Sequence, residues 1–255
     1  MSILLAFHLL LHCKTYGETS LPGKNYYDPL FECEKGLLKK EKNLVYLKLR
    51  EEIRKNFSLV QVKPFLLIAG ESTLALFPKE IYEEYLKEFK IVNHAIGGET
   101  TLLFLSSMEQ DLISLKPDVI LISIGGNDLI EGRCISTIVH NINIILFTIH
   151  IKLPETYVIF VGIPPVLSWK INSISPILNK KIESLIKSYP NMLYIDLWEI
   201  LSDEDKPALK QDFYRELDVP LKEYDKLHFN KKGYEEISKK LKPILEKIYN
   251  EKYKK

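Results

Sequence analysis

Three residues of this sequence have the side chains needed for nucleophilic attack on a carbonyl carbon. Ser72 carries a hydroxyl group, which becomes a good nucleophile only when a base removes its proton. His228 is a suitable base because the ordinary pKa of histidine is close to neutral pH. Asp225 lies three residues before it and can fix the tautomer of the imidazole ring. The three residues together predict a Ser-His-Asp arrangement for acyl transfer.

Three glycine-containing turns carry further polar residues, at 70–73, 97–100 and 125–128. Glycine allows the backbone to turn sharply and a ligand to approach closely. Each turn precedes a predicted helix, whose first N–H groups favour negative charge. An acyl-transfer enzyme needs such a place for the oxyanion of its tetrahedral intermediate.

A regular alternation of strands and helices positions these turns. The predicted strands are continuously apolar, which is typical of a parallel sheet covered on both faces. They are residues 65–69, 91–96, 119–124, 157–161 and 192–196. The predicted helices are residues 39–56, 78–90, 100–115, 136–149, 175–188 and 230–249. We therefore expect a three-layer, doubly wound α/β domain with five parallel strands, and a site at the carboxyl ends of the strands.

Each motif alone has a simpler interpretation. The turn at Ser72 and the Asn127-Asp128 pair could be ordinary helix caps, and Asp225 and His228 could form a surface hydrogen bond. Those two residues with His94 could also bind a metal, although the spacing fits no standard ligand set. Nucleotide binding is disfavoured because neither G-x-G-x-x-G nor a P-loop follows the first strand.

Taken in order, the motifs resemble the four blocks of the SGNH, or GDSL-like, hydrolase family. Gly70-Glu71-Ser72 resembles the nucleophile block, and the block at 93–100 contains Gly98, whose counterpart supplies an oxyanion-hole N–H. Asn127 lies in the third block, where the family's asparagine donates its side-chain amide. Asp225 and His228 match the last block, which holds the acid and the base.

The resemblance implies a flavodoxin-like sheet order and a serine hydrolase that needs no cofactor or metal. Ser72, His228 and Asp225 are the expected triad, and the oxyanion hole is expected from Ser72, Gly98 and Asn127. The expected substrate is a small-molecule ester, with a short acyl or acetyl group on a lipid or carbohydrate. The segment 202–224 is expected to form a loop over the site.

One departure from the family keeps an alternative open. Glu71 stands where the family usually has aspartate, and the longer side chain could reposition the turn of the nucleophile. The alternative is therefore a catalytically impaired surface binding protein with the same fold.

Composition restricts the partners. The formal net charge of +1 gives no field that would attract nucleic acid, and three irregularly spaced cysteines predict neither disulfides nor a zinc site. The oligomeric state stays open.

The sequence predicts an N-terminal segment at 1–60 and the hydrolase domain at 61–255. The apolar run at 3–11 ends at Cys13, which suits an export signal and a lipid anchor that would tether the protein to a membrane. No lysine or arginine precedes that run, so a short N-terminal element in a cytoplasmic protein is the alternative. We favour export.

Overall fold

A computed structural model describes residues 40–58 and 63–254 of the chain. The expected export signal at 3–11 and Cys13 lie outside the described residues.

Within the described residues, a five-stranded parallel sheet forms the centre of the molecule. Its strands are β1 (Leu66–Gly70), β2 (Ile91–Asn93), β3 (Val119–Ser123), β4 (Tyr157–Val161) and β5 (Met192–Ile195). They are arranged in the order β2-β1-β3-β4-β5, and every pairing is parallel. The predicted doubly wound α/β fold is therefore confirmed. Every residue of β1 and β3 is buried, which explains why these strands are apolar without alternation.

Helices cover both faces of this sheet. The helices of the described residues are α1 (Lys40–Ser58), α2 (Ser72–Ala75), α3 (Lys79–Tyr85), α4 (Thr101–Asp111), α5 (Gly126–Ile130), α6 (Ile135–Lys152), α7 (Trp169–Asn172), α8 (Ser175–Ile186), α9 (Leu197–Leu201) and α10 (Lys231–Tyr253). Helices α4, α6 and α8 pack on one face in one apolar cluster. The opposite cluster contains apolar residues of α2, α3, α9 and α10. Two apolar layers thus enclose the sheet.

Helix α6 carries apolar residues on its exposed side as well as on its buried side. Its length and composition alone would allow it to cross a membrane, and Ile144, Phe147 and Ile151 are exposed. Its opposite side is buried against the sheet through Ile138, Ile142, Ile145, Leu146 and Ile149. These residues belong to the apolar cluster on that face of the sheet.

Some predicted elements differ from the observed ones. Strand β2 is three residues long rather than six, and α3 ends at Tyr85 rather than at Lys90. The segment expected to be a loop contains a 3-10 turn and β6 (Tyr214–Glu216), which pairs antiparallel with β7 (Tyr224–Phe229). Asp225 and His228 lie on β7, shortly before α10 begins at Lys231. The pairing with β6 keeps this segment extended up to the residue before the cap of α10.

Candidate active site

Ser72, His228 and Asp225 form a continuous hydrogen-bonded chain. Ser72 is the first residue of α2, immediately beyond the carboxyl end of β1. His228 Nε2 is 2.9 Å from Ser72 Oγ, and His228 Nδ1 is 2.9 Å from Asp225 Oδ2. If Nδ1–H donates to Asp225, Nε2 is left to accept the hydroxyl proton of Ser72. The structure thus brings Ser72 to the Asp225-His228 pair, although His228 is 156 residues away from Ser72 in sequence.

The Asp225 carboxylate is held by more than the histidine ring. Its Oδ1 accepts the backbone N–H groups of Leu227 at 2.9 Å and His228 at 3.1 Å. Arg215 Nη1 lies 3.7 Å from Oδ2. Burial acts to raise the pKa of Asp225, but these hydrogen bonds and that of the His228 ring outweigh it, so the pKa is below its usual range. Asp225 is therefore ionised and oriented at neutral pH.

Glu71, the residue that departs from the family pattern, reaches across to α5. It is 3% exposed, and its carboxylate accepts the N–H of Gly126 at 3.1 Å. It also accepts the N–H of Asn127 at 2.9 Å and the side-chain amide of Asn127 at 2.9 Å. Burial raises the pKa of Glu71 to about 8, although these three hydrogen bonds oppose the rise. Glu71 thus ties the turn at Ser72 to the third glycine-containing turn.

Glycine at 126 is required by this contact. A Cβ atom at Gly126 would lie 2.6 Å from Glu71 Oε1, well inside van der Waals contact. The carboxylate therefore occupies the space that any other residue at the start of α5 would fill.

The residues expected to bind the oxyanion line the same cavity as Ser72 and His228. Gly98 has a φ of +80°, a left-handed conformation that favours glycine. Asn127 Nδ2 donates to Glu71 Oε2 at 2.9 Å and to the carbonyl oxygen of Glu99 at 3.0 Å. Both hydrogens of the Asn127 amide are therefore engaged within the protein in this structure.

Asp128 joins the third turn to the second. Its buried carboxylate accepts the backbone N–H of Thr101 at 2.8 Å and the Thr101 hydroxyl at 2.7 Å. Thr101 begins α4, directly after the turn that contains Gly98. Taken alone, the Asn127-Asp128 pair could be an ordinary helix cap. The contact of Asp128 with α4 has no local signal, because Asp128 and Thr101 are far apart in the chain.

The cavity beside Ser72 has a volume of about 400 Å³ and is open to solvent on one side. Its walls are mainly apolar and come from separate segments of the chain. The apolar lining residues are Ala75, Leu76, Ile130, Ile163, Pro164, Val166, Ile171 and Leu227. The cavity can therefore receive an uncharged, apolar group next to the Ser72 hydroxyl.

The structure does not bring His94 to Asp225 and His228 as a ligand set. His94 Nδ1 instead lies 3.1 Å from the carbonyl oxygen of Asp111, and burial lowers the pKa of the ring. In the described part of the chain, no three His, Cys, Asp or Glu side chains converge in a metal-binding arrangement.

Solved structures with the same fold include three that illustrate its range. A Streptococcus pneumoniae protein assigned provisionally as a platelet activating factor is 24% identical, with a TM-score of 0.67, covering 80% of this chain and 95% of its own. A GDSL-like lipase of Bacteroides thetaiotaomicron is 18% identical, with a TM-score of 0.66 and coverage of 79% and 98%. A variant of an acetyl-xylooligosaccharide esterase from Geobacillus is 15% identical, with a TM-score of 0.52 and coverage of 71% and 94%. At these identities the likeness shows the fold.

Among curated proteins, none matches the chain in sequence. The model of the GDSL-like lipase/acylhydrolase family matches residues 69–236, a range that includes Ser72, Asp225 and His228. Since this match covers well over half of the chain, the protein belongs to the GDSL-like lipase/acylhydrolase family and is a carboxylic ester hydrolase.

Proposed function

We propose that the protein cleaves short acyl or acetyl esters of a lipid or carbohydrate through a Ser72-His228-Asp225 triad. The observation that supports this proposal most strongly is the position of the His228 ring, 2.9 Å from both Ser72 Oγ and Asp225 Oδ2. The His228 ring can remove the hydroxyl proton of Ser72, and the Asp225 carboxylate can stabilise the imidazolium that forms.

The reaction proceeds through an acyl-enzyme. His228 takes the hydroxyl proton as Ser72 Oγ attacks the ester carbonyl, and the resulting imidazolium then protonates the departing alcohol. Water attacks the acyl-enzyme with His228 again as the base, and the acid is released. The N–H groups of Ser72 and Gly98 bind the oxyanion; Asn127 adds its amide when one of its two internal hydrogen bonds is released.

The apolar cavity supports an acyl group as its occupant. Its described lining carries no ionisable side chain other than those of Glu71 and His228, and both have partners within the site. One of the solved structures with this fold is named as an acetyl-xylooligosaccharide esterase, so acetylated sugars are one class of ester to test as substrates.

The test uses p-nitrophenyl esters from acetate to octanoate, with Ser72→Ala as the matched variant. Wild-type protein should hydrolyse the short esters, and Ser72→Ala should lose activity by a factor of at least about 10³. Undiminished turnover by Ser72→Ala would refute the assignment of the nucleophile.

One contact favours the alternative of a binding protein that has lost turnover. Glu71 and Glu99 accept both hydrogens of the Asn127 amide, so this amide is not free to donate to an oxyanion in the proposed oxyanion hole. A fluorophosphonate probe distinguishes the two functions, since it labels only an activated serine. Labelling of the wild type but not of Ser72→Ala supports the enzyme, and absence of labelling supports the binding protein.

A further inference from the structure

A group of polar side chains on α1 is buried against the turn that carries Gly98. Arg50 is 3% exposed and forms an ion pair with the fully buried carboxylate of Glu99. The hydroxyl of Tyr46 donates to the same Glu99 oxygen at 2.7 Å. Removing two charges from water is unfavourable, and their mutual attraction and hydrogen bonds must offset that loss of solvation. A buried pair of this kind is therefore weak evidence for a purely stabilising role.

The pair acts on both ends of the turn. Arg50 Nη1 donates to the carbonyl oxygen of His94 at 3.0 Å, just after β2 ends. Glu99 directly follows Gly98, and its own carbonyl oxygen accepts the amide of Asn127 at 3.0 Å. A continuous path of contacts thus leads from α1 to the residues expected to bind the oxyanion.

We propose that α1 is a positioning element for ester hydrolysis, in which Arg50 acts through Glu99 to hold the Gly98 N–H and the Asn127 amide in place. This inference rests on the proposed function of the site. Arg50 does not line the cavity, so it is a positioning residue. Helix α1 ends before residue 69, where the family match begins, so this support comes from outside the matched region.

Arg54 provides a matched control on the same helix. It lies one turn after Arg50 and binds Asp111 of α4 through Nε at 2.6 Å and Nη2 at 3.2 Å. Both arginines therefore fasten α1 to the domain, but only Arg50 contacts Glu99. Loss of either one weakens the attachment, whereas only loss of Arg50 should disturb the oxyanion turn.

The experiment compares Arg50→Met and Arg54→Met in the full chain by kcat, KM for p-nitrophenyl acetate, and thermal unfolding. Arg50→Met should lose about 10- to 100-fold in kcat with KM nearly unchanged, because misplaced donors weaken transition-state binding. Arg54→Met should keep kcat within about twofold even if it unfolds at a lower temperature. Equal losses of kcat in the two variants, or none in Arg50→Met, would overturn the proposal.

Two further measurements make the result decisive. If Arg50→Met does not fold, Glu99→Gln is measured instead, because it removes the carboxylate but keeps an oxygen that can accept the Tyr46 hydroxyl. The kcat of Glu99→Gln should fall. An unchanged kcat would refute the proposal. Amide hydrogen exchange of the peptide at 96–101 should rise in Arg50→Met and not in Arg54→Met. Hydrogen exchange does not depend on enzyme activity, so it tests the role of α1 even if Ser72→Ala disproves the proposed nucleophile. Unaltered exchange in Arg50→Met would overturn the inference.

Discussion

At the scale of single residues, Glu71 is a glutamate whose protonation differs from what its residue type suggests. Its carboxylate is buried, accepts three N–H groups, and has a pKa raised to about 8 by burial. An unfolded glutamate has a pKa close to 4.3. Between these two values the folded protein keeps the proton and the unfolded chain loses it, so unfolding releases a proton and stability falls as pH rises.

We therefore expect Glu71 to reduce the free energy of unfolding by up to about 1.4 kcal/mol per pH unit in this interval. The measurement is the difference in unfolding free energy between wild type and Glu71→Gln, from about pH 5 to pH 9. That difference should move against the wild type up to about pH 8 and level off above it. A difference that does not vary with pH would mean that Glu71 is ionised throughout.

The residues that could be predicted from the sequence are those that belong to short local motifs. Ser72, Asp225 and His228 stand in recognisable blocks, and the structure places them within hydrogen-bonding distance of one another. The partners of Glu71 and of Glu99 lie far along the chain and leave no local pattern. Such contacts depend on how the sheet brings its turns together, so they emerge only from the fold.

At the scale of the elements, the start of α5 and the turn at Ser72 occupy adjoining space. The Glu71 carboxylate occupies the space that a side chain at position 126 would need, since an added Cβ would lie 2.6 Å from Glu71 Oε1. The two positions are therefore coupled, and a change at one should be corrected by a change at the other.

Gly126→Ala should displace the Glu71 carboxylate from the N–H groups of α5, which costs about 1–3 kcal/mol of stability and lowers kcat. Glu71→Asp in the same chain should recover part of both losses, because the side chain is one methylene shorter and withdraws from the new methyl group. Unfolding free energies and kcat for the wild type, both single variants and the double variant form a double-mutant cycle. Strictly additive effects would show that the two positions are independent.

Element boundaries were predictable where burial is uniform and failed where it is not. Strand β4 has the predicted bounds because an apolar run is buried along nearly its whole length. The β6–β7 hairpin was missed because its short strands are largely polar and half exposed, as in Tyr214–Glu216. A polar segment of this kind is typical of a loop, and only pairing with a neighbouring segment makes it a strand.

At the scale of the whole molecule, the cavity is the feature that no single element determines. Ala75 is the last residue of α2 and Leu76 follows it, Ile171 lies on α7, and Leu227 lies on β7. Sequence patterns predicted the sheet and the edge at which the site lies, but not the shape of this space, because its walls depend on the relative placement of distant segments. Its dimensions should determine which acyl group the enzyme accepts.

Ala75 is half-buried at the wall of the cavity, so a larger side chain there can extend into the open space without overfilling the core. Ala75→Leu should therefore lower kcat/KM for octanoate by about tenfold or more relative to acetate, since each methylene is worth about 1–3 kcal/mol in an apolar pocket. Ala208→Leu makes the same change at another half-buried alanine that does not line the cavity, and it should leave the ratio of the two esters unaltered. Comparing kcat/KM across the p-nitrophenyl ester series for the three proteins tests whether the acyl group occupies this cavity. If Ala75→Leu reduces acetate and octanoate turnover equally, the acyl chain lies elsewhere, and the apolar walls would then face the alcohol portion of the ester.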